Sequence, residues 1–285
     1  MKTKGVYQEP QWPMLLVLSC ATIVFIMLIA ILGIVFFKGL PAITFEFLTS
    51  FPTHGMTQGG ILPAIVGTVM LTLITAVFSI PLGVGCAVYL NEYAQNTRTT
   101  RLIRAAIRNL AGVPSIIFGL FGLALFVEAL DFGTSLYAAG FTLGLLSLPY
   151  TITTTEEALK VIPEGLREGA LALGATKYES IRDVVIPAAV PGIATGAVLS
   201  LSRAAGETAP ILFTGAVFYI TGLPGHPGEE FMALPYHLYI LSTQHQSIEA
   251  VRPLAFGTAV VLVVLVFLMN LAAIILRNKF RNKLK

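Results

Sequence analysis

Six apolar stretches, each long enough to cross a lipid bilayer, constrain this sequence more than any other feature. A transmembrane helix needs about 20 mainly apolar residues to cover a hydrocarbon core of about 30 Å. The stretches cover residues 14–37, 61–90, 110–130, 136–152, 188–220 and 254–276. A single polypeptide segment satisfies its backbone hydrogen bonds in lipid only as a helix. The sequence therefore predicts an all-α polytopic membrane protein with six transmembrane helices, in which residues 1–285 form one transmembrane domain.

The low content of charged residues excludes a water-soluble fold. Asp, Glu, Lys and Arg make up 12% of the 285 residues, and hydrophobic residues make up 55%. A soluble domain carries about 25% charged residues, because its surface must be hydrated. The net charge of +3 does not indicate nucleic-acid binding, since the basic residues lie where membrane topology places them. No metal site is predicted, because His237 and His245 are separated by a spacing that is not typical of metal ligands on a helix.

The basic residues predict the orientation of the chain. Lys and Arg are enriched in the cytoplasmic segments of membrane proteins. The sequence has 18 Lys and Arg residues. All except Lys38, Arg203 and Arg252 lie before the first span, between spans two and three, between spans four and five, or after the sixth. Both termini are therefore predicted to be cytoplasmic, in a bacterial or archaeal plasma membrane. The first span, which follows Lys2 and Lys4, is too long for a signal peptide and is expected to remain as an anchor.

The cytoplasmic segment 153–187 is predicted to contain two helices. Two pairs have the Ser/Thr-x-x-Glu spacing of a capping box, which opens a helix: Thr154 with Glu157, and Thr176 with Glu179. An apolar stripe at helical spacing follows the first pair: Leu159, Ile162, Leu166, Ala170 and Leu173. Pro163 predicts a kink or restart in the first helix, and Gly174 is placed to end it in a left-handed turn. Pro187 is expected to end the second helix.

The same segment resembles the EAA loop of ABC importer permeases. The family pattern is Glu-Ala-Ala, three residues, Gly, nine residues and Ile-x-Leu-Pro. The matching positions in this sequence are Glu168, Gly169, Ala170, Gly174, Val184, Ile186 and Pro187. The resemblance implies that the short helix after Gly174, which opens with Thr176 and Glu179, seats in a groove of a cytoplasmic ATPase.

A nucleotide site is not predicted within the chain itself. The glycine spacing of Gly169 and Gly174 matches a phosphate-binding loop, but Ala175-Thr176 follows in place of Lys-Ser/Thr. The chain is therefore expected to bind no cofactor and to be a transporter subunit rather than an enzyme. ATP and Mg²⁺ are expected at a partner ATPase.

Arg203 and Glu207 are predicted to lie near the middle of the fifth span. A charge at that depth costs at least about 2.5–3.5 kcal/mol, so it persists where it is paired or serves transport. A spacing of four residues places both side chains on one helix face. One interpretation is a mutually neutralised pair that fixes helix register. The other is an anion site on a translocation path, since a guanidinium matches oxyanion geometry and stays charged.

Several stretches resemble the PstA-type permeases of phosphate ABC importers, and together they cover nearly the whole chain. They include residues 89–93 (Tyr-Leu-Asn-Glu-Tyr), 110–116 (Leu-Ala-Gly-Val-Pro-Ser-Ile) and 203–210 (Arg-Ala-Ala-Gly-Glu-Thr-Ala-Pro). The resemblance implies a MetI-like fold and a complex with a PstC-type permease, two ATPase copies and an extracytoplasmic phosphate-binding protein. It also implies that Arg203 takes part in the passage of phosphate. Ser115 either donates to the anion or caps its own helix.

Two alternatives to a phosphate importer follow from the same residues. The first is an importer permease for another oxyanion, such as sulfate, molybdate or tungstate. The second is an ion-coupled secondary transporter in which Arg203 and Glu207 relay protons. Glu207 favours phosphate over sulfate, because a carboxylate accepts a hydrogen bond from protonated phosphate and repels sulfate.

Overall fold

The computed structural model describes residues 12–220 and 222–283, and this part of the chain is almost entirely helical. The helices are α1 (Trp12–Gly39), α2 (Phe45–Thr49), α3 (Leu62–Val88), α4 (Arg98–Leu110), α5 (Ser115–Gly122), α6 (Leu136–Lys160), α7 (Glu164–Ala172), α8 (Lys177–Glu179), α9 (Ile186–Ala205), α10 (Ala209–Leu212), α11 (Leu234–Thr243) and α12 (Ile248–Lys283). Wider π-helical turns extend three of them: Tyr89–Tyr93 after α3, Leu123–Ala129 after α5 and Ser180–Val185 after α8. Two short antiparallel strands also pair, β1 (Pro52–Thr53) and β2 (Gln58–Gly59). Lys2, Lys4 and Lys285, which contribute to the predicted orientation, lie outside the described residues.

In the described part of the chain, five helical segments are long and apolar enough to cross a membrane: Met14–Ala42, Leu62–Tyr93, Leu136–Lys160, Lys177–Ala205 and Ile248–Ile275. The sixth predicted span differs from them. Arg98–Leu110 and Ser115–Ala129 are joined at a bend of 102°, so that the predicted start at residue 110 is wrong. Pro114 contributes to the break, because it lacks an N–H and disfavours helical geometry at the residue before it. The part after the bend is about 22 Å long, which is shorter than the hydrocarbon core.

The fourth span is longer than predicted, and the capping box proposed at its end is wrong. Helix α6 continues through Pro149 as far as Lys160. Thr154 and Glu157 therefore lie inside the helix, where the Thr154 hydroxyl donates to the carbonyl of Tyr150 (2.8 Å) instead of capping. Proline is tolerated inside transmembrane helices where packed neighbours hold the backbone.

The fifth span differs from the prediction at both ends. Helix runs without interruption from Lys177 to Ala205, so Pro187 does not end the second cytoplasmic helix. Pro187 instead occupies the first turn of α9, directly after a π-helical turn, where its missing N–H is tolerated. At the other end, α9 stops at Ala205, and residues 206–220 form only the short helix α10.

Close packing of α3 against α6 forms the centre of the bundle. A Cβ atom on Gly140 would collide with Ile74, and one on Gly144 would collide with Phe78. Small residues at these positions let the two helix backbones approach each other, as is typical of membrane helix pairs. The buried cluster beside them includes Leu143 of α6 and Phe118 of α5. These contacts make α3 and α6 a tightly packed unit.

The two ends of the bundle differ in charge. At one end, the π-helical turn Tyr89–Tyr93 meets α4, the end of α6, α7 and the start of α8. We call this the basic end, because four arginines of α4 and four further cations lie there: Arg98, Arg101, Arg104, Arg108, Lys160, Arg167, Lys177 and Arg182. The opposite end contains α2, the two strands and α11. There the His245 ring lies 2.7 Å from the carbonyl of Gly55.

Candidate functional site

Arg203 lies in the last turn of α9, not in the middle of a continuous span as predicted. The Gly206 N–H donates to the Arg203 carbonyl (3.1 Å), and the helix ends there. The partial negative charge of a helix C-terminus stabilises a cation in its last turn. The Arg203 side chain is 51% exposed. The arginine is thus held at a helix end with half of its surface accessible.

The predicted contact between Arg203 and Glu207 is present. Arg203 Nε lies 3.4 Å from Glu207 Oε1, and the Glu207 side chain is only 17% exposed. Glu207 follows the helix end, and its own N–H donates to the carbonyl of Ala204 (3.1 Å). Beyond this ion pair, the Arg203 guanidinium makes no hydrogen bond within the described residues. The two Nη atoms therefore remain available to an anion.

Tyr150 of α6 orients the Arg203 guanidinium. The guanidinium carbon lies 4.5 Å from the centre of the Tyr150 ring, which is a cation–π contact. The Tyr150 hydroxyl donates to the carbonyl of Ala111 (3.1 Å), in the bend before α5. Sequence reasoning missed this residue because Tyr150 and Arg203 lie on different helices, and no local pattern connects them. The signal that could have found it is the arginine itself, since a cation within a membrane span favours an aromatic partner on a neighbouring helix.

Ser115 is the first residue of α5 and is half-buried. Pro114 occupies the N-cap position without a side-chain cap, so the alternative in which Ser115 caps its own helix is not observed. Helix α5 packs against α10, where a Cβ on Gly119 would lie 3.0 Å from the Cα of Pro210. The structure thus brings the helix of Ser115 beside the segment that follows Glu207.

Polar contacts fix the end of α9 to its neighbours. The Thr151 hydroxyl donates to Ser200 (3.2 Å), which ties α9 to α6. The Ser202 hydroxyl donates to Asn270, which ties α9 to α12. The half-exposed guanidinium is therefore placed on a rigid support, and its planar pair of Nη atoms matches an oxyanion. Among residues 12–220 and 222–283, no group of three or more His, Cys, Asp or Glu side chains could hold a metal ion.

A second site lies at the basic end, in the segment Glu164–Val185, which we call the coupling segment. Gly174 has a φ of +90°, which confirms the predicted left-handed turn. The capping box of Thr176 and Glu179 is also confirmed: the Glu179 N–H donates to Thr176 Oγ1 (3.3 Å), and the Thr176 N–H donates to Glu179 Oε2 (2.8 Å). Leu173 beside this turn is 91% exposed.

The residues matched to the EAA pattern differ in exposure. Glu168, Gly169 and Gly174 are exposed, together with Thr176 and Glu179. Ala170 is buried, and Ile186 and Pro187 are half-buried where the segment enters α9. The helical turn around Gly174 therefore presents a surface of mixed polar and apolar side chains.

Sequence reasoning did not predict an ion pair that holds the coupling segment to α3. Arg167 Nη2 donates to Glu92 Oε1 (2.8 Å), and Arg167 Nε donates to Glu92 Oε2 (3.3 Å). Asn91 also donates to Glu92 Oε1 (2.9 Å). Arg167 also donates to the carbonyl of Leu159 in the last turn of α6 (3.0 Å) and to that of Ile162, two residues beyond the helix (2.8 Å). The Glu92 side chain is 7% exposed and that of Arg167 is 21% exposed.

Two further cations hold the same π-helical turn. Arg104 of α4 donates to the carbonyl of Leu90 (2.6 Å) and lies 3.5 Å from Glu156 of α6. The Lys177 ammonium lies 5.1 Å from the centre of the Tyr93 ring. The sequence predicted Arg104, Arg167 and Lys177 only as markers of topology.

Comparison with known proteins supplies the context for these two sites. The family model described as "Binding-protein-dependent transport system inner membrane component" matches residues 79–285. "Probable ABC transporter permease protein YqgI" of Bacillus subtilis (strain 168) is 32% identical over 265 residues, which is 89% of this chain and 90% of that protein.

Two other relatives carry more specific names. "Phosphate transport system permease protein PstA 1" of Mycobacterium tuberculosis (strain CDC 1551 / Oshkosh) is 37% identical over 77% of this chain and 71% of its own length. "Probable phosphate transport system permease protein PstA" of Methanocaldococcus jannaschii is 36% identical, over 80% of this chain and 79% of its own length.

Solved structures share the fold at lower identity. A bacterial alginate ABC transporter, in complex with an alginate pentasaccharide-bound periplasmic protein, superposes with a TM-score of 0.69 at 17% identity, over 95% of this chain and 96% of that one. An inward-facing MetNI methionine ABC transporter superposes with a TM-score of 0.62 at 22% identity, over 77% of this chain and 95% of that one. Each likeness supports the predicted MetI-like helical fold.

Proposed function

The chain belongs to the family of binding-protein-dependent transport system inner membrane components, and from that premise we propose that it is the permease through which inorganic phosphate crosses the membrane. Relatives from a mycobacterium and an archaeon are named as phosphate permeases. The observation that carries the proposal is the half-exposed guanidinium of Arg203, whose Nη atoms are free to bind an oxyanion. Family membership also decides against the ion-coupled secondary transporter.

Transport in this proposal depends on a partner that hydrolyses ATP. ATP and Mg²⁺ bind to two copies of a cytoplasmic ATPase, and a groove of each ATPase receives a coupling segment of a permease. The continuous helix from Lys177 to Ala205 then connects the ATPase to Arg203 over about 39 Å. Arg203 acts as a weak anion contact, because tight binding on the path would slow release.

The remaining partners and the orientation belong to the same proposal. A PstC-type permease completes the pathway, and an extracytoplasmic binding protein delivers phosphate. Both chain termini lie in the cytoplasm, because the basic end of the bundle is the end that the positive-inside rule places there. Ser115, in the helix that packs beside the Glu207 segment, donates a hydrogen bond to the passing anion.

Glu207 contributes selectivity for phosphate over sulfate. Its carboxylate lies 3.4 Å from the Arg203 guanidinium, so it faces an anion bound there. Phosphate near neutral pH carries a proton that the carboxylate accepts, whereas sulfate carries none. Replacing Glu207 by Gln is expected to reduce the preference for phosphate over sulfate in competition uptake. An unchanged preference would remove this part of the proposal.

Labelled phosphate uptake into vesicles tests the function. The vesicles contain this chain with its partner subunits and binding protein, and they are either loaded with ATP or left empty. The test variant is Arg203→Ala, and the matched control is Arg252→Ala, which removes an exposed arginine of a pair with Glu249 at the opposite end. Uptake is expected to require ATP, to fall at least 100-fold in Arg203→Ala and to be unchanged in the control.

The other outcomes have defined meanings. ATP-dependent uptake that survives Arg203→Ala would reduce the Arg203–Glu207 pair to a structural role. ATP-dependent uptake of sulfate, molybdate or tungstate in place of phosphate would assign a different oxyanion. Uptake without ATP would contradict an ABC importer altogether.

A further inference from the structure

The π-helical turn Tyr89–Tyr93 at the end of α3 is held by basic side chains from three different elements. Arg104 comes from α4, Arg167 from α7 and Lys177 from α8. The turn is wider than an α-helical one, as the Ala94 N–H donates to the carbonyl of Tyr89 (2.9 Å). Turns of this kind are rare and occur frequently at functional sites.

Arg167 occupies the centre of this arrangement. Its guanidinium binds the Glu92 carboxylate, in the turn that ends α3, through two nitrogens. It also donates to the carbonyl of Leu159 in the last turn of α6 and to that of Ile162 just after the helix. Carbonyls at a helix C-terminus lack partners within the helix, and a cation there is favoured by the helix dipole. One side chain of the coupling segment thereby holds the ends of two packed membrane helices.

The consequence concerns how motion reaches Arg203. The coupling segment continues into α9 as unbroken helix, whereas only the short non-helical linker of residues 161–163 joins it to α6. The Arg167 hydrogen bonds to the carbonyls of Leu159 and Ile162 bridge this linker. Tyr150, which stacks on Arg203, lies on α6 about 14 Å from Leu159, the residue whose carbonyl binds Arg167. If α9 moved without α6, Arg203 would leave the Tyr150 ring.

We propose that the Arg167–Glu92 ion pair is a latch that makes α3 and α6 follow the coupling segment, so that Arg203 and Tyr150 move together during the transport cycle. Arg167 and Glu92 are positioning residues in this role, since neither reaches the anion site. The latch rests on the proposed function, because it transmits the motion driven by the partner ATPase.

The test neutralises both partners at once, as Glu92→Gln with Arg167→Gln. Removing one partner leaves an unpaired charge and destabilises the fold, whereas replacing both with neutral side chains leaves none. The matched control is Glu249→Gln with Arg252→Gln, which neutralises an exposed ion pair at the opposite end. The assembled complex is reconstituted in proteoliposomes, and phosphate uptake and ATP hydrolysis are measured on the same preparation.

The double variant is expected to assemble and to hydrolyse ATP within twofold of the original rate, while phosphate transported per ATP falls at least tenfold. The control keeps its ratio. A double variant that keeps the original ratio overturns the proposal. Failure to assemble, with the control intact, also overturns it, because the pair would then serve folding alone.

A second measurement requires no substrate and separates the latch from the proposed function. Spin labels are placed at Gln95 and Gly165, with Cys20 and Cys86 replaced by alanine; Gln95 is exposed, and Gly165 has open space for a side chain. The distance distribution is expected to stay narrow through ATP binding and vanadate trapping, and to broaden in the double variant. A distribution that is equally narrow in both overturns the latch, even where the complex transports no phosphate.

Discussion

Two Arg–Glu pairs in this molecule have the same chemistry and opposite surroundings. The Arg203–Glu207 pair has one long contact of 3.4 Å, and its arginine is half exposed. The Arg167–Glu92 pair is joined by two hydrogen bonds, both residues are largely buried, and the arginine also binds two carbonyls. The Nη atoms of Arg203 therefore remain free to bind another group, whereas every guanidinium nitrogen of Arg167 already donates a hydrogen bond.

The exposure and the free donors of each arginine distinguish a binding role from a positioning role, whereas the residue types, which are the same in both pairs, do not. A guanidinium with free Nη atoms can exchange its weak partner for an anion at little cost. A buried guanidinium with every nitrogen engaged cannot be displaced without leaving a carboxylate and two carbonyls unpaired. We expect the two pairs to respond in opposite ways to substitution.

The largest expected difference is in stability. Arg167→Ala should lower the free energy of unfolding by about 3–5 kcal/mol, because it leaves Glu92 charged and buried. Arg203→Ala should lower it by less, about 1 kcal/mol, because this pair has one long contact and its arginine is half exposed. Thermal and denaturant unfolding of the purified complex measures both. Equal losses for the two variants would contradict the comparison.

Stability also depends on pH through His237, which belongs to neither Arg–Glu pair, and this effect must be measured separately. Burial lowers the pKa of His237, in α11 outside the candidate spans, to about 4. The unfolded chain takes up a proton near pH 6.5, but the folded chain resists until about pH 4. Its contribution is therefore complete above pH 6.5, and stability should fall by about 3 kcal/mol as the pH drops to 4. His237→Leu should remove this dependence, and an unchanged pH profile in that variant would refute it.

Tyr150 tests whether orientation of Arg203 matters to transport. Tyr150→Leu removes the ring beneath the guanidinium and should lower phosphate uptake about tenfold, since a cation–π contact contributes about 0.5–2 kcal/mol. Tyr150→Phe keeps the ring, loses only the hydrogen bond to Ala111, and should lower uptake about threefold or less. Initial uptake rates at equal expression give the comparison. A larger loss in the Phe variant would show that the hydrogen bond, not the ring, is important.

The smallest expected effect concerns the cap of α8. Thr176→Ala removes a capping hydrogen bond and should cost about 1 kcal/mol. Thr97 caps α4 in the same way, by accepting from the Thr100 N–H (3.2 Å), and Thr97→Ala is the matched control. Both should lower stability equally, and only Thr176→Ala should lower the uptake rate. Equal uptake in the two variants would argue against a coupling role for α8.

The sequence was informative where a signal is local. Hydropathy predicted where the membrane spans lie, although not the start of the third, the end of the fourth or either end of the fifth. The Thr176–Glu179 spacing predicted a capping box, and Gly174 predicted a left-handed turn. The four-residue spacing of Arg203 and Glu207 predicted their contact correctly, although a helix end, not a continuous helix, brings them together.

The predictions failed where contacts between distant parts of the chain determine the structure. The fourth span was expected to end at residue 152, but α6 continues through Pro149 to Lys160, because the neighbouring helices hold the backbone. Thr154 and Glu157 have the spacing of a capping box, yet lie inside the helix that results. Arg167 and Glu92 are 75 residues apart, and no local pattern connects them. Tyr150 was missed for the same reason.

The uninterrupted helix from Lys177 to Ala205 connects the coupling segment rigidly to Arg203, so that a tilt at one end moves the other. Arg203 lies about 39 Å from Lys177 along this rod. A tilt of about 10° about its Lys177 end would sweep the guanidinium through about 7 Å, which exceeds the width of a phosphate ion. If the coupling segment seats in an ATPase groove as proposed, small rotations there would be magnified into a displacement of several ångströms at the proposed anion contact.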